Sequence, residues 1–439
     1  MTGLTRQLAE LVAGIEFPQL PAEAVETVKR GTIDCIGVLF AGREEPVVKL
    51  LLDQVSDGKD ATLLFERRRA GSADAALLNA TAAHALDYDD TGLDGHPSVV
   101  LVPTVLAEGE RLGASGRELI AAYVAGYETW AELVSRDADK HHGKGWHPTA
   151  VFGAVGAAAA ASRISKLHAD KTANALGIAA SMASGLVANF GSMTKPFQAG
   201  RAAQSGIQAA RLAAAGMTAS PDALEHGSGF LAAVSPRGRT RLDGEIREKS
   251  NWHILRHGVN IKRYPVCYAL HRAIDAALDL DIDAKNVESI EVRVGTLQAT
   301  MLRHSSPQSA LDAKFSAQFA MAAALLNRKV GLAELRDEFV RSEKVQSLMR
   351  KVRVATTDEA DPDEPLFAPF DFVTLRLASG KTVKSKEVRH ARGHARNPFS
   401  LQELRAKFDD CTGGQQQALL ERLLHLETEN EVRALFGKT

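Results

Sequence analysis

Two long runs of small residues constrain the fold of this chain more than any other feature of its sequence. The stretches 150–162 (AVFGAVGAAAAAS) and 199–216 (AGRAAQSGIQAARLAAAG) are dominated by alanine and glycine. Alanine is the best helix former, whereas each glycine inside a helix costs up to ~1 kcal/mol. We therefore expect two helices whose glycines serve close packing. Aromatic residues make up only 5% of the chain, which fits a core built by close backbone approach.

The chain up to about residue 232 shows the apolar period of helices throughout. One capping box, Ser115 and Glu118, precedes a helical stripe formed by Leu119, Tyr123, Tyr127, Trp130 and Val134. Residues from about 233 to 253 lose this period, become charged and predict a long surface loop. The leucine-rich tail from Ser400 returns to a helical pattern that could pack back onto the first block.

Beyond the charged segment the apolar period changes to that of strands. Alternating residues predict strands at 290–294, 352–354 and 373–377, the last turning at Ser379-Gly380, with a helix between them at KFSAQFAMAAALL. We therefore predict a mainly α protein. Its large all-helical domain comprises residues 1–258 and 395–439, and a smaller α+β domain, residues 259–394, is inserted between those parts.

The overall composition excludes several kinds of partner. Lys and Arg number 53 against 54 Asp and Glu, so the bulk charge favours neither nucleic acid nor an anionic membrane. No apolar run approaches the ~18 residues that a membrane span needs. Three scattered cysteines, Cys35, Cys267 and Cys411, fit a reducing compartment. We therefore expect a cytoplasmic protein.

The strongest local signal is the segment His84-Ala-Leu-Asp-Tyr-Asp-Asp-Thr91, followed by His96-Pro97. It crowds Asp87, Asp89 and Asp90 at a predicted helix C-terminus, where the helix dipole disfavours negative charge. A solvated turn is one interpretation of this pattern. A divalent cation site is another, although the spacing matches no standard loop. A catalytic site is the third.

Three further segments place polar side chains beside prolines. Pro148 suits the first position of a helix, so His147 should lie at its cap, with a lowered pKa that keeps it a neutral base near pH 7. Lys195 precedes Pro196 on a predicted irregular segment, with Arg201 in the first turn of the next helix. Lysine and arginine at a helix start form a plausible cradle for a carboxylate. Lys262 opens a fourth segment, IKRYPVCY, at the entry to the α+β domain.

Several common catalytic motifs are absent from the sequence. It contains no G-x-G-x-x-G after a strand, no Walker A loop, no H-E-x-x-H and no G-x-S-x-G. The remaining groups are neutral histidines, cationic lysines and arginine, and aspartates. They suit acid and base chemistry on an anionic substrate without a cofactor.

Taken together, the four segments resemble the MmgE/PrpD family of 2-methylcitrate dehydratase, cis-aconitate decarboxylase and iminodisuccinate epimerase. HALDYDDT followed by HPS, GWHPT, KPFQAGRAA and KRYPVC occur in the family's order over essentially the whole chain. The resemblance implies that the α+β domain is a lid, that the site lies in a cleft between the domains, that no metal is bound and that the chain forms a homodimer.

The resemblance also assigns residues motif by motif. The matching positions are Asp87, Thr91, His96, His147, Lys195 and Lys262. Three departures argue against cis-aconitate decarboxylase itself. The loop from Thr91 to His96 is one residue shorter than in its pattern, Cys267 stands where it has a histidine, and Phe319 stands where it has a tyrosine.

These observations lead to a hypothesis for the reaction. We expect a cofactor-independent lyase, a dehydratase or decarboxylase, acting on a small di- or tricarboxylic acid. His96 and His147 would exchange protons, Lys195, Lys262 and Arg201 would hold carboxylates, and Asp87 and Thr91 would orient the site, Asp87 by fixing a histidine tautomer. Other expected substrate-binding residues are Tyr264, Cys267 and Tyr268, and either tyrosine or Lys262 could serve an epimerase as second base. An epimerase and, less favoured, a non-catalytic carboxylate binder are the alternatives.

Overall fold

The computed structural model describes residues 2–66, 68–246 and 251–436, and α-helices dominate it. The α-helices are α1 Leu4–Gly14, α2 Ala22–Gly42, α3 Pro46–Leu52, α4 Ser72–His84, α5 Pro97–Leu112, α6 Gly116–Ser135, α7 Pro148–Ile164, α8 Ala169–Met182, α9 Thr194–Ala215, α10 Phe230–Val234, α11 His253–His257, α12 His271–Leu278, α13 Thr296–Ala299, α14 Ala310–Ala313, α15 Ala317–Asn327, α16 Asp337–Arg341, α17 Glu343–Met349, α18 Leu401–Thr412 and α19 Gln417–Leu424. The strands are β1 Ala61–Leu63, β2 Arg68–Ala70, β3 Val287–Gly295, β4 Val352–Thr357, β5 Phe372–Leu377 and β6 Thr382–Lys384. Short 3₁₀ helices lie at Phe17–Gln19, His141–Lys144, Val187–Asn189, Tyr268–Leu270, Ala284–Asn286, Leu426–Thr428 and Val432–Phe436.

The chain divides into two compact units. Unit 1 comprises residues 1–261 and 400–439, and unit 2 comprises residues 262–399. These boundaries lie a few residues later than the domain boundaries expected from the sequence. The C-terminal helix α18 packs on α2 within unit 1, as the helical pattern of the tail predicts.

The small-residue helices α7 and α9 pack closely in unit 1. A Cβ built on Gly206 of α9 would lie 2.3 Å from Ala157 Cβ and 2.6 Å from the Ala157 carbonyl carbon on α7. On another side of α9, a Cβ on Gly200 would lie 2.4 Å from the Leu77 carbonyl oxygen of α4. Both glycines therefore permit backbone contacts that any side chain would prevent, as the composition of these runs predicts.

These contacts also determine which helix ends meet. Gln198, near the start of α9, contacts the residue before α7, and Gly206 contacts the middle of α7, so the two helices run in the same direction. Gln204 of α9 contacts Asp74, near the start of α4, so α4 runs the opposite way. The C-terminus of α4 therefore lies beside the N-termini of α7 and α9.

Unit 1 differs from the sequence prediction at two places. The predicted all-helical block also contains a two-stranded antiparallel sheet, β1 and β2, whose three-residue strands are too short to show a period. Helix α9 begins at Thr194, so Lys195 lies in its first turn and not on an irregular segment. Proline is tolerated there because the first N–H groups of a helix have no partner within it. Within the predicted charged loop, residues 247–250 lie outside the described residues.

Unit 2 contains a four-stranded mixed sheet in the order β4-β3-β5-β6. β3 pairs with β4 in parallel and with β5 antiparallel. The buried residues Ile290, Val292 and Val294 of β3 belong to one apolar cluster with residues of α12 and α15. The three predicted strands and the helix between them are confirmed. Among the described residues, no helix combines the length and apolarity needed to cross a bilayer.

We predict that Gly206→Val lowers the free energy of unfolding by roughly 1–3 kcal/mol, because overpacking a filled core costs about that much. The Ala157 backbone leaves no space for the added side chain. Denaturant melts provide the measurement. The matched control is Ala214→Val on the same helix, a partly exposed position, where only the small helix-propensity cost applies. Equal losses at the two positions would contradict the close-packing argument.

Candidate active site

Four helix ends of unit 1 bring together most of the predicted site residues. His84 is the last residue of α4, and His96 and His147 are the caps that precede Pro97 of α5 and Pro148 of α7. Lys195 lies in the first turn of α9. Asp87, in the left-handed region with φ 54°, turns the chain that leaves α4 back into this group.

Three imidazole rings form the centre of the group. The ring centroids of His84 and His96 are 4.5 Å apart, and those of His84 and His147 are 6.1 Å apart. His84 and His147 are almost fully buried, and His96 is partly exposed. The three rings therefore lie close enough together to act on one small molecule.

Asp89 determines the proton positions of two of these rings. Its carboxylate lies 3.0 Å from Nδ1 of His84 and 2.7 Å from Nδ1 of His96. Nδ1 of His96 also lies 2.8 Å from the Asp90 carbonyl oxygen. Because these partners are acceptors when Asp89 is ionised, both Nδ1 atoms donate a hydrogen, and the neutral form of each ring carries its lone pair on Nε2.

Gln198 performs the same task for His147. Its Nε2 donates to the Leu186 carbonyl oxygen at 3.2 Å, so its Oε1 must be the atom that lies 2.7 Å from Nδ1 of His147. A carbonyl can only accept, which settles the orientation of the amide. Nδ1 of His147 therefore donates, and its Nε2 is an unprotonated base.

Lys195 supplies the positive charge of the site. Its Nζ donates to Asp87 Oδ1 at 2.7 Å and lies 5.2 Å from the centre of the Phe190 ring. Phe190 also contacts the His147 ring edge-on, at 4.8 Å between centroids. The phenyl ring thus removes water from one side of both the base and the cation, which strengthens their electrostatic interactions.

Burial and nearby charges keep His84 and His147 neutral. Burial lowers the pKa of His84 to about 4, against the opposing effect of Asp89. Burial, then His84 and Lys195, hold the pKa of His147 well below its ordinary value. The sequence predicted that direction. Although burial opposes ionisation of Asp89, its contacts with His84 and His96 outweigh it and hold the Asp89 pKa well below normal.

The carboxyl group of Asp90 contacts the first turn of α5. Asp90 accepts from the Ser98 backbone N–H at 3.2 Å in the first turn of α5 and from the Ser98 hydroxyl, which contacts the Tyr123 hydroxyl at 2.8 Å. Burial, followed by the nearby charge of Asp34, raises the Asp90 pKa well above its ordinary value. Burial therefore favours the protonated form of Asp90, whose carboxyl group contacts the N-terminus of α5.

Two predicted residues of unit 1 lie at the margin of this group. Thr91 pairs with Asn260 through two backbone hydrogen bonds of 2.9 and 2.8 Å, and its buried Oγ1 has no partner among the described residues. Arg201 donates to Gln204 of its own helix, and Gln204 in turn donates to Asp74. The structure thus directs Arg201 toward the start of α4, whereas His84 lies at its end. The substrate-binding role of Arg201 stays a prediction.

The other predicted residues belong to unit 2. Lys262 and Cys267 are buried there. The Tyr264 hydroxyl donates to Asp275 at 2.5 Å, and burial together with Asp275 raises its pKa. Burial, followed by Glu364, also raises the pKa of Tyr268. Neither phenol is thereby suited to serve as a base. Phe319, the position where a hydroxyl is missing, is fully buried in the core of unit 2.

The chemistry of the cluster bears on the cation interpretation of the aspartates. His84, Asp87, Asp89 and His96 each offer one potential ligand atom, all within 4.8 Å of one another. A cation would have to compete with the Lys195 ammonium for Asp87 and with two imidazole N–H groups for Asp89. In this arrangement the Asp87 and Asp89 oxygens are engaged by the Lys195 ammonium and by two imidazole rings, and the absence of a metal stays a prediction.

Four residues of this group were not among the predicted site residues: His84, Asp89, Gln198 and Phe190. The first two lie within the HALDYDDT segment and Gln198 lies within KPFQAGRAA, so the motifs themselves contained the signal. The spacing of Gln198 three residues after Lys195 puts both on one face of a helix. The sequence carries no comparable signal for Phe190. The tautomer role expected of Asp87 is filled by Asp89 and Gln198.

We predict that His84 and His147 both remain neutral at pH 6, with His84 protonating only near pH 4, because burial disfavours their charged forms. Histidine NMR with ¹³C-labelled protein measures this, and His84→Gln and His147→Gln assign the two signals. An ordinary histidine, with pKa ≈ 6.5, is mostly protonated at pH 6. A midpoint near 6.5 for either ring would contradict the prediction.

Comparisons with known proteins cover nearly the whole chain. The MmgE/PrpD N-terminal domain matches residues 6–243 and the MmgE/PrpD C-terminal domain matches residues 264–428. The chain is 29% identical to cis-aconitate decarboxylase of Mus musculus over 93% of this chain and 86% of that protein. It is 27% identical to the Homo sapiens cis-aconitate decarboxylase (93% and 87%) and 24% identical to that of Aspergillus terreus (82% and 80%). The chain belongs to the MmgE/PrpD family and is an enzyme, a lyase of that family.

Proposed function

We propose that this enzyme is a cofactor-independent lyase that acts next to a carboxylate of a small tricarboxylic acid, with cis-aconitate as the first candidate. The observation that carries the proposal is a neutral base beside a fixed cation. Gln198 holds Nδ1–H of His147, which leaves Nε2 unprotonated, and the Lys195 ammonium lies in the same buried group. The similarity to cis-aconitate decarboxylases over most of the chain supports the choice of substrate, whereas Cys267 and Phe319, which depart from the pattern of that enzyme, favour testing related acids beside it.

The chemistry needs both groups. Decarboxylation breaks a C–CO₂⁻ bond, releases CO₂ and leaves the electron pair on carbon, from which it spreads into the adjacent double bond and carboxylate. A histidine that has first taken a proton from water at Nε2 donates it to that carbon, which completes the product and returns the ring to its neutral form. Dehydration instead transfers a proton from carbon to a base and releases the hydroxyl group, protonated, as water. Both routes build negative charge on the substrate, which fixed donors stabilise.

We assign the roles accordingly. His147 and His96 exchange protons with the substrate through Nε2, and Asp89 and Gln198 hold their tautomers. Lys195 attracts the substrate carboxylates, and Asp87 holds its ammonium in place. Metal binding at these carboxylates is not part of the proposal, since their oxygens already accept from Lys195 and from imidazole.

The family resemblance supplies the rest of the proposal. Unit 2 would act as a lid that contributes Lys262 and Cys267 to substrate binding, and Arg201 and Thr91 would complete the substrate contacts. The enzyme would form a homodimer and work in the cytoplasm.

We predict that the wild-type enzyme converts cis-aconitate or a related acid, and that His147→Ala and Lys195→Ala each lose at least roughly 10²-fold in turnover, since each removes a proton-transfer group or a charge-stabilising donor. Citrate, 2-methylcitrate, cis-aconitate and iminodisuccinate are incubated in D₂O and followed by NMR. A chelator present throughout should change nothing. The matched control is Lys144→Ala, an exposed lysine whose Nζ donates to backbone carbonyls of Ala233 and Ser235.

The products separate the candidate reactions. Loss of CO₂ or formation of an alkene supports the lyase. Exchange of deuterium with inversion would instead make the enzyme an epimerase, and binding without exchange would make it a carboxylate-binding protein. Activity of both variants within a few-fold of wild type would contradict the residue assignment.

We predict that Gln198→Glu moves the acidic limb of the kcat/KM profile to higher pH. A carboxylate behind Nδ1 favours the imidazolium form of His147 and raises its pKa by roughly 1–3 units. Since the base works only when deprotonated, the midpoint of the limb follows its pKa upward. Gln198→Met removes an acceptor that raises the His147 pKa, so it should lower kcat and move that limb to lower pH, opposite to Gln198→Glu. An unchanged profile in Gln198→Glu would exclude His147 as the base.

A further inference from the structure

The loop between Asp87 and Thr91 is held at every residue by a different part of unit 1. The Asp87 N–H donates to the His84 carbonyl at 3.1 Å, and Thr91 pairs with Asn260. Asp90 accepts from Ser98. The Tyr88 carbonyl oxygen accepts a hydrogen bond from a residue that lies 319 positions later in the chain.

That residue is Lys407, on the C-terminal helix α18. Its side chain is buried, and its Nζ donates to the Tyr88 carbonyl oxygen at 2.9 Å. The same Nζ lies 2.5 Å from Asp34 Oδ1 on α2 and 4.0 Å from the centre of the Tyr88 ring. Lys407 therefore joins α18, α2 and the site loop at one point.

We propose that Lys407 is a positioning residue of the site. Its ammonium fixes the peptide unit that follows Tyr88, and thereby the side chains on either side of it. Asp87 on one side holds Lys195, and Asp89 on the other holds the tautomers of His84 and His96. The C-terminal segment, which contributes none of the proposed catalytic residues, thus controls the geometry of the carboxylates on which they depend.

Electrostatics explain why a lysine occupies this place. Two carboxyl groups are buried here, that of Asp90 in the loop and that of Asp34 on α2. Asp34 raises the pKa of Asp90, and Lys407 provides Asp34 with a counter-ion. Removal of Lys407 alone would take a counter-ion away from a buried carboxylate, which is destabilising. A test of positioning must therefore remove both charges together.

The experiment uses the double variant Asp34→Leu/Lys407→Met, because apolar replacement of a buried ion pair is often neutral for stability. We expect kcat to fall roughly 10- to 10²-fold with KM changed less than about three-fold, since a displacement of about 1 Å can cost that much in rate. Asp34→Asn alone takes the counter-ion from the Lys407 ammonium and lowers stability, but it keeps the Lys407 contact to Tyr88, so the folded protein should retain kcat near wild type. Should the apolar pair lack a cooperative melting transition, Asp34→Asn/Lys407→Met replaces it with the same expectations.

A matched control breaks another tie of the C-terminal segment to α2. Lys29 Nζ lies 3.4 Å from Glu427 Oε2, and neither residue contacts the site loop. The variant Lys29→Met/Glu427→Gln should keep both kcat and KM. This control separates loss of the Tyr88 contact from general loosening of the C-terminal segment.

The kcat and KM measurements rest on the proposed function. Hydrogen exchange of the backbone amides provides a second measurement that does not depend on it. We expect amides of residues 85–92 to exchange at least about tenfold faster in the double variant than in the wild type and the control, because local opening becomes easier. Unchanged exchange and kcat in the folded double variant would overturn the proposal, as would an equal kcat loss in Asp34→Asn. Wild-type protein inactive on every acid tested would refute the proposed function alone, and exchange would still decide the role of Lys407.

Discussion

The close contact of α9 with α4 and α7 is the constraint on which the site depends. Gly200 and Gly206 let α9 approach both neighbours at backbone distance. Because α4 runs opposite to the other two helices, the contact places one helix C-terminus against two N-termini. The helix dipoles then favour negative charge at the point where α4 ends. Of the aspartates after α4, Asp87 pairs with Lys195 in the first turn of α9, and Asp89 has its pKa lowered by His84 and His96.

The sequence predicted the elements of this arrangement better than their connections. Proline at the first helical position located the His96 and His147 caps, and composition indicated the close packing of α7 and α9. Which aspartate holds which histidine depends on the left-handed backbone of Asp87. A residue other than glycine seldom adopts that conformation, so no local pattern predicts it.

Long-range contacts account for the rest of what the sequence did not reveal. Phe190 reaches His147 and Lys195 from a short 3₁₀ connection with no apolar period. In the sequence, Lys407 is one charged residue of a predicted amphipathic helix. Only the tertiary structure buries it beside Tyr88 and Asp34. Conversely, Arg201 carries the sequence signal of an anion cradle, yet its side chain pairs with Gln204 on the same helix.

The two proposed proton-transfer groups differ in what lies behind them. His96 has the full negative charge of Asp89 at its Nδ1, whereas His147 has the neutral amide of Gln198. An imidazolium formed at His96 therefore keeps a counter-ion in contact. One formed at His147 lies beside the Lys195 cation, and burial, followed by His84 and Lys195, keeps the pKa of His147 low. Groups whose surroundings differ in this way take different parts in acid and base chemistry. Under the proposed function, His147 is the base that returns its proton most readily, and His96 is the group that can hold one while the substrate reacts.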